Sequence, residues 1–410
     1  MHAPKASATG ATGQSFVGFV ALIAALMAIT SLAVDAMLPA LPQIGEALGI
    51  TDDNQRQWIV TAYLLGFGVV QIFIGPLADR FGRRPLILGG LALYGFSAVA
   101  SALAGSFAPM MVARMLQGIG AAAPRVLAAT VVRDGHSGRE MARVMSLAMM
   151  TFLAVPVLAP SIGQLVLFVA PWRAIFAVFA IFALIVFAWA FVALPETLRP
   201  ENRSNLHAGT IARNMAACFR ERAALGYMLA MGCAMGGLLA FINSVQQICA
   251  DVFDAAAWMP LVMAFVGSSM AAASLFNSRI VGRLGMRVTS HAAAFAFLAG
   301  GIVHVALAAS GHESLVGFTL VQCFVMFSFG FMVPNFGAMA MEPLGRLAGT
   351  GSAVQGFTTT LLGALIGFAI GQEFDGTLLP YGVGVTLCAG GVLGSALIAE
   401  DGRLFRAAHR

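Results

Sequence analysis

The strongest constraint on this chain is a rhythm. Runs of about twenty apolar residues recur from end to end, and few of them contain a charge. A helix needs about 20 such residues to cross the hydrocarbon of a bilayer. Lipid also forces the backbone to satisfy its own hydrogen bonds, which a helix does. Twelve runs qualify, near 16–40, 57–77, 86–105, 108–131, 144–168, 173–194, 225–248, 258–278, 289–309, 315–340, 350–371 and 380–398. Only 10% of the residues are charged and 59% are hydrophobic, against about 25% charged in a soluble domain. A single large soluble core would need far more polar surface. The reading is an all-α membrane protein of twelve transmembrane helices in a lipid bilayer.

Arginine sets the orientation. With the N-terminus inside, nineteen of the 23 Lys and Arg residues fall on inner segments, and only Arg56 and Arg173 on outer ones. Arg114 and Arg125 lie within the fourth span. The outer loops are acidic instead, with Glu46, Asp52, Asp53, Asp251, Asp254, Glu313, Glu373 and Asp375. Both termini are therefore expected in the cytoplasm. The expected organisation is a tail at 1–15, a six-helix bundle at 16–194, a cytoplasmic linker at 195–224, a second six-helix bundle at 225–398 and a tail at 399–410. The net charge of +5 follows topology and implies no nucleic-acid partner.

Several chemistries drop out. Lys5 is the only lysine, so neither a P-loop nor an intramembrane Schiff base can be built. Cys218, Cys233, Cys249, Cys323 and Cys388 are widely spaced and form no ligand pattern. No Ser/His/Asp set or metal cluster is evident. No cofactor, no metal and no enzymatic activity are expected. The segment before Phe16 is short, polar and weakly charged, unlike a cleavable signal.

The two halves echo one another. "DRFGRR" (79–84) follows the second span and "GRLGMR" (282–287) the eighth, at an offset of 203. "GAAAPR" (120–125) and "GFMVPN" (330–335) occupy spans four and ten, at an offset of 210. Ser146 and Ser352 form a third pair. Two pseudo-symmetric six-helix bundles in the same orientation make a rocking carrier with a central site.

The motifs sharpen this. In "GPLADRFGRRP" (75–85), Gly75 permits close helix approach and Gly82 a tight turn. Asp79 is placed to pair near a helix end, while Arg80, Arg83 and Arg84 hold the inner side. In "ARMLQGIGAAAP" (113–124), Gly118 and Gly120 thin the helix for a neighbour. Arg114 lies seven residues from Phe107, about 10 Å deep. Asp35 lies seven residues from Pro42, at a similar depth, and is the carboxylate placed firmly inside a span. Such a group costs about 2.5–3.5 kcal/mol at a bilayer centre, so it marks function.

These stretches resemble the major facilitator superfamily, and within it the drug/proton antiporters. The end of span one, D-x-x-L-P-x-L-P, with "PWRAIF" (171–176), "LPET" (194–197) and "AGTGSAVQG" (348–356), resembles the Bcr/CflA-type multidrug exporters. The resemblance covers nearly the whole chain. It implies the major facilitator fold, spans one and four as neighbours, and a monomer in the bacterial inner membrane. It implies that the 75–85 loop latches the two halves in the outward-facing state, with Asp79 as the carried-over residue. The fifth-span signature departs from the family form, because "APSIGQ" (159–164) keeps only Pro160 and Gly163.

Asp35 and Arg114, acid and base at equal depth, form a candidate proton-coupling pair. Burial and a nearby guanidinium act on a carboxylate in opposite directions, which suits a group that loads and unloads protons. Eleven residues separate Arg125 from Arg114, which returns it to nearly the same helix face. Asp35, Gln117, Arg125, Asn243, Gln246, Asn335 and Gln355 are the candidate substrate-cavity residues. The function expected is proton-driven efflux of small amphipathic drug-like compounds. One acid against two arginines favours neutral, zwitterionic or weakly anionic ones. A carrier for one metabolite (a sugar, siderophore or amino-acid derivative) is the alternative. A non-transporting sensor or scaffold is the alternative of another class.

Overall fold

A computed structural model describes residues 15–198, 201 and 208–405. The described residues are helical almost throughout. The helices are α1 (Phe16–Asp35), α2 (Leu41–Ala47), α3 (Trp58–Phe81), α4 (Arg83–Leu103), α5 (Phe107–Gly135), α6 (Gly138–Val169) and α7 (Arg173–Ala193). Then follow α8 (Ala208–Arg220), α9 (Arg222–Gln247), α10 (Met259–Leu284), α11 (Met286–Ser310), α12 (Leu315–Met341), α13 (Ala348–Gln372) and α14 (Leu379–Ala399). Among the described residues, eleven stretches are long and apolar enough to cross a membrane. The helix α6 has 32 residues, and its described apolar part, Ala154–Val169, is shorter than a span. Expected spans one to twelve fall on α1, α3 to α7 and α9 to α14. The expected linker holds a helix of its own, α8, and its residues 199–200 and 202–207 lie outside the described residues, as do 1–14 and 406–410.

Local signals start and stop the helices. Ser15 caps α1 by accepting from the Gly18 amide at 3.1 Å, and Ser314 caps α12 through Gly317 at 3.1 Å. Each cap satisfies one of the amides that a helix start leaves without an intrahelical partner. Gly82 ends α3 at φ 102° and ψ 159°, and Gly285 ends α10 at φ 81° and ψ 159°. The two repeated motifs thus make the same turn, in a region that disfavours any Cβ.

Packing divides the chain into two bundles with matching contacts. In the first, α1 packs on α5, α6 and α7, and α4 on α5 and α7, while α3 packs on α5. In the second, α9 packs on α12, α13 and α14, and α11 on α12 and α14, while α10 packs on α12. The bundles meet through α3 against α13 and α6 against α10. Exchanging the halves turns one of these contacts into the other. Small residues let backbones touch. A Cβ on Gly118 would overlap the Tyr63 carbonyl, and one on Gly120 would lie 2.5 Å from the Tyr94 nitrogen. A Cβ on Gly163 would overlap the Ala36 carbonyl, and one on its counterpart Gly367 would lie 2.6 Å from the Leu239 side chain and 2.8 Å from the Ala240 nitrogen. That explains why Gly163 remains in a fifth-span motif that has lost its other glycines. Pro160 lies inside the same helix. Gly75 does not play the role its sequence suggests: a Cβ there meets nothing within 4 Å, because the residue faces a cavity.

Candidate transport site

A cavity of 570 Å³ lies between the bundles, within the range of drug-sized sites. Thr30, Ser31 and Asp35 of α1, Gln71 of α3 and Arg125 of α5 line its first-bundle side. The second bundle supplies Met235, Met263, Met270, Met326, Phe241 and Phe329, with other apolar residues and the hydroxyls of Ser352 and Thr360. A second cavity of 760 Å³ is lined by Gly75, Asp79, Arg83, Arg133 and Asp134, with Ile211, Asn214 and Met215 of α8. Both cavities touch Gln71, Val126 and Ser352, so they form one path from the centre to the arginine-rich end.

The opposite end is closed by side-chain amides. Gln57 donates to Gln247 Oε1 at 2.7 Å and to the Gly371 carbonyl at 2.9 Å. Asn54 donates to the carbonyls of Gln372 and Phe374 at 3.0 and 2.9 Å. Gln247 donates to Asn54 Oδ1 and Gln372 to the Asn54 carbonyl, each at 2.7 Å. Every one of these bonds joins the first bundle to the second. Trp58 packs on Phe368 beside them, ring centroids 4.2 Å apart. Sequence reasoning missed this clasp, because Asn54, Gln57 and Gln372 read as ordinary loop or helix-end polar residues.

Asp35 ends α1 and is only 4% exposed, yet it lines the central cavity. Its expected ion pair with Arg114 is not formed. Arg114 is fully buried and spends its donors elsewhere. Nε goes to the Ile59 carbonyl at 3.1 Å, Nη1 to Gln117 Oε1 at 2.7 Å and Nη2 to the Ala33 carbonyl at 3.1 Å. The guanidinium also lies 4.7 Å from the Tyr63 ring centroid, a favourable cation–π distance. A buried charge must be satisfied on most of its donors, and carbonyls of α1 and α3 do this without the carboxylate. Arg114 thereby ties three helices together at the level of Asp35.

Of the other expected cavity residues, Arg125 is in place. Gln117 is consumed by Arg114. Asn335 donates to Asn277 Oδ1 and the Phe331 carbonyl, both at 2.8 Å, bridging α12 to α10. Asn243, Gln246 and Gln355 do not line the cavity either; they sit on the packed faces of α9 and α13. An amide on an apolar helix serves helix packing as readily as ligand binding, and the pattern alone does not separate the two.

The 79–84 loop is bound within its own bundle. Arg83 pairs with Asp79 at 2.9 Å and with Asp134 at 3.1 Å. Arg80 stacks over Phe81, and Arg84 donates to the Phe191 carbonyl at 2.6 Å. The expected cross-bundle latch is therefore not made in this structure. Glu196, from the "LPET" stretch, accepts from the Arg83 and Arg84 amides at 3.0 and 3.2 Å and caps α4. Its counterpart Glu400, after α14, accepts from Tyr227 and, at 2.5 Å, from Arg287 Nε. Among the described residues, no group of three or more His, Cys, Asp or Glu is placed to hold a metal.

The sequence model of the Major Facilitator Superfamily matches residues 21–368. The chain belongs to that superfamily. It is 31% identical over 359 residues to a bicyclomycin resistance protein homolog of Haemophilus influenzae, covering 85% of this chain and 87% of that one. It is 29% identical over 325 residues to the multidrug resistance protein MdtL of Escherichia coli, covering 79% and 80%. Among solved structures, a D-xylose–proton symporter superposes with a TM-score of 0.72 at 15% identity, covering 92% of this chain and 97% of that one. The peptide transporter POT gives 0.75 at 14%, covering 96% of each. These two likenesses establish the fold. This superfamily member is a multi-pass membrane transporter.

Proposed function

We propose that the protein exports small amphipathic compounds against an inward flow of protons, by alternating access. In this reading twelve helices span the bacterial inner membrane, with both termini in the cytoplasm and α6 as the fifth span. The arginine-rich end is then cytoplasmic, and the cavity faces the compartment from which substrate is collected. The observation that carries the reading is Asp35, a carboxylate set in the wall of a largely apolar central cavity. Drug-resistance names among the relatives support the substrate type.

Asp35 is well placed to couple protons to movement. It ends α1, and the next residue, Ala36, is the one against which Gly163 of α6 packs. Taking up or losing a proton there changes the charge at a helix junction that borders the bundle interface. Arg114 acts as a positioning group, holding α1, α3 and α5 in register around the acid. Asp79 and the neighbouring arginines close the cytoplasmic end once the amide clasp has opened.

The test is a proteoliposome assay with an imposed proton gradient, reading substrate-induced proton movement across a panel of amphipathic dyes and antibiotics. Wild type moves protons with substrate. Asp35→Asn folds and binds but does not couple. Full pH-dependent transport by that variant overturns the proposal.

A further inference from the structure

The two walls of the central cavity differ in kind. By the Gly163 and Gly367 contacts, Leu239 stands where Ala36 does, so the counterpart of Asp35 in the second bundle is Leu238, which lines the same cavity. The counterpart of Arg125 is Asn335, which is turned away into its bond with Asn277. The lining charges therefore come from the first bundle alone. The second bundle offers thioethers, from Met235 on α9, Met263 and Met270 on α10 and Met326 on α12. Methionine is unbranched and polarisable, so such a wall adapts to apolar bodies of different shape.

The two charges also occupy different depths. Arg114 bonds the Ala33 carbonyl, which sets its level at the last turn of α1, beside Asp35. Arg125 is eleven residues further along α5, about 16 Å toward the arginine-rich end at 1.5 Å per residue. It lines the central cavity together with Gln71 and Val126, the residues at which that cavity joins the chamber at the arginine-rich end. A ligand arriving from that chamber meets the guanidinium first and the acid last. Asp35 is nearly hidden, whereas Arg125 is half-buried. A compact amino-acid zwitterion cannot span both groups.

Resting on the transporter reading, we propose that the site takes an elongated amphiphile in one orientation. Its anionic or acceptor end lies at the Arg125–Gln71 neck. Its apolar body lies on the methionine wall. Its uncharged end reaches Thr30 and Ser31 beside Asp35.

The test is equilibrium binding to the full chain in nanodiscs, which needs no proton coupling. The probes are 1-pyrenebutanoic acid, its methyl ester and 1-pyrenebutylamine, three heads on one body. The acid binds tightest, the ester next, and the amine at least tenfold more weakly than the acid. Arg125→Gln brings the acid-to-amine ratio close to one, and Arg125→Lys, which keeps the charge, retains the preference. Met235→Ala with Met326→Ala weakens all three probes by a similar factor and leaves the ratio alone. The proposal is overturned if the amine matches the acid in wild type, if no probe binds, or if a monodisperse Arg125→Gln protein keeps the ratio. Retained proton coupling in Asp35→Asn liposomes, by contrast, would overturn the transport reading and leave this preference untouched.

Discussion

The amide clasp gives the alternating-access reading a measurable weak point at Gln57. Its side chain makes bonds of 2.7 and 2.9 Å to Gln247 and Gly371 and accepts one of 3.3 Å from Gln372. Gln57→Leu keeps the bulk and removes all three. A hydrogen bond is worth about 1 kcal/mol net, and buried partners left unpaired add to the loss. Two good bonds and one long one therefore come to about 2–3 kcal/mol, set against the closed state. At 1.4 kcal/mol per factor of ten, that is about 30- to 150-fold in the equilibrium. A conformer open at this end and populated at about 1% would rise to roughly 20–60%. Spin labels at the exposed positions Glu46 and Thr377, one on each bundle, report the separation by pulsed electron resonance. The five free cysteines are first replaced. The expected result is a new, longer distance in Gln57→Leu. An unchanged distribution in a monodisperse variant would refute the idea that these amides hold the end shut.

Gly163→Val pushes a branched side chain into the Ala36 carbonyl; backbone cannot yield cheaply, so a loss of about 2–3 kcal/mol is expected, read as a fall in Tm. Glu196→Ala removes the cap from α4 and costs about 1–2 kcal/mol, whereas Glu196→Gln recovers part of it. Glu400 supplies a pH signature. Burial pushes its carboxyl up, but the hydrogen bonds from Tyr227 and Arg287 and the Arg287 charge outweigh that and hold it below the ordinary value. A carboxyl lowered by folding stabilises the protein above its unfolded value, about 4.3 for Glu, and loses that contribution as pH falls through its folded value. Glu400→Gln should therefore lower Tm at neutral pH and flatten the acid limb of its pH dependence; an unchanged limb would count against the pairing.

Length and periodicity made the helices and the two halves legible, because a bilayer leaves the backbone few choices. The x-R-x-G-x-R repeat marked two glycines that do share one backbone geometry. Asp35 was legible for a related reason: a charge inside a span is costly, so its presence is informative. The partner was not. Depth along a helix places Arg114 level with Asp35, but rotation and reach decide whether they touch, and carbonyls compete for a guanidinium as well as carboxylates do. The intramembrane amides were the least legible. Asn335 and Gln117 look alike in sequence whether they face a ligand or a neighbouring helix. Glu196 and Glu400 lie 204 positions apart, and that offset was available in the sequence. What hid them was divergence around them, "LPET" against "IAED", with only the acid in common.

The closed end of the path is held by uncharged groups, and this constrains how a proton can act. The clasp at Asn54, Gln57, Gln247 and Gln372 is made of neutral amides, so no change of charge weakens it directly. Any influence of Asp35 on that end must pass through helix packing. One route is continuous. Ala36, next to Asp35, supports Gly163 of α6, and further along α6 Val157 abuts Gly267 of α10, where an added Cβ would lie 2.9 Å from the valine side chain. Helix α10 belongs to the other bundle, so α6 joins the acid's helix to the moving partner across the interface. Spatial continuity alone does not establish coupling; an energetic test does. If the two sites are independent, the effects of Asp35→Asn and Gly267→Ala on the pulsed-resonance distance should add. A route through α6 predicts a non-additive double variant. Simple addition, within about 0.5 kcal/mol, would mean that the acid acts on the bundles by another path.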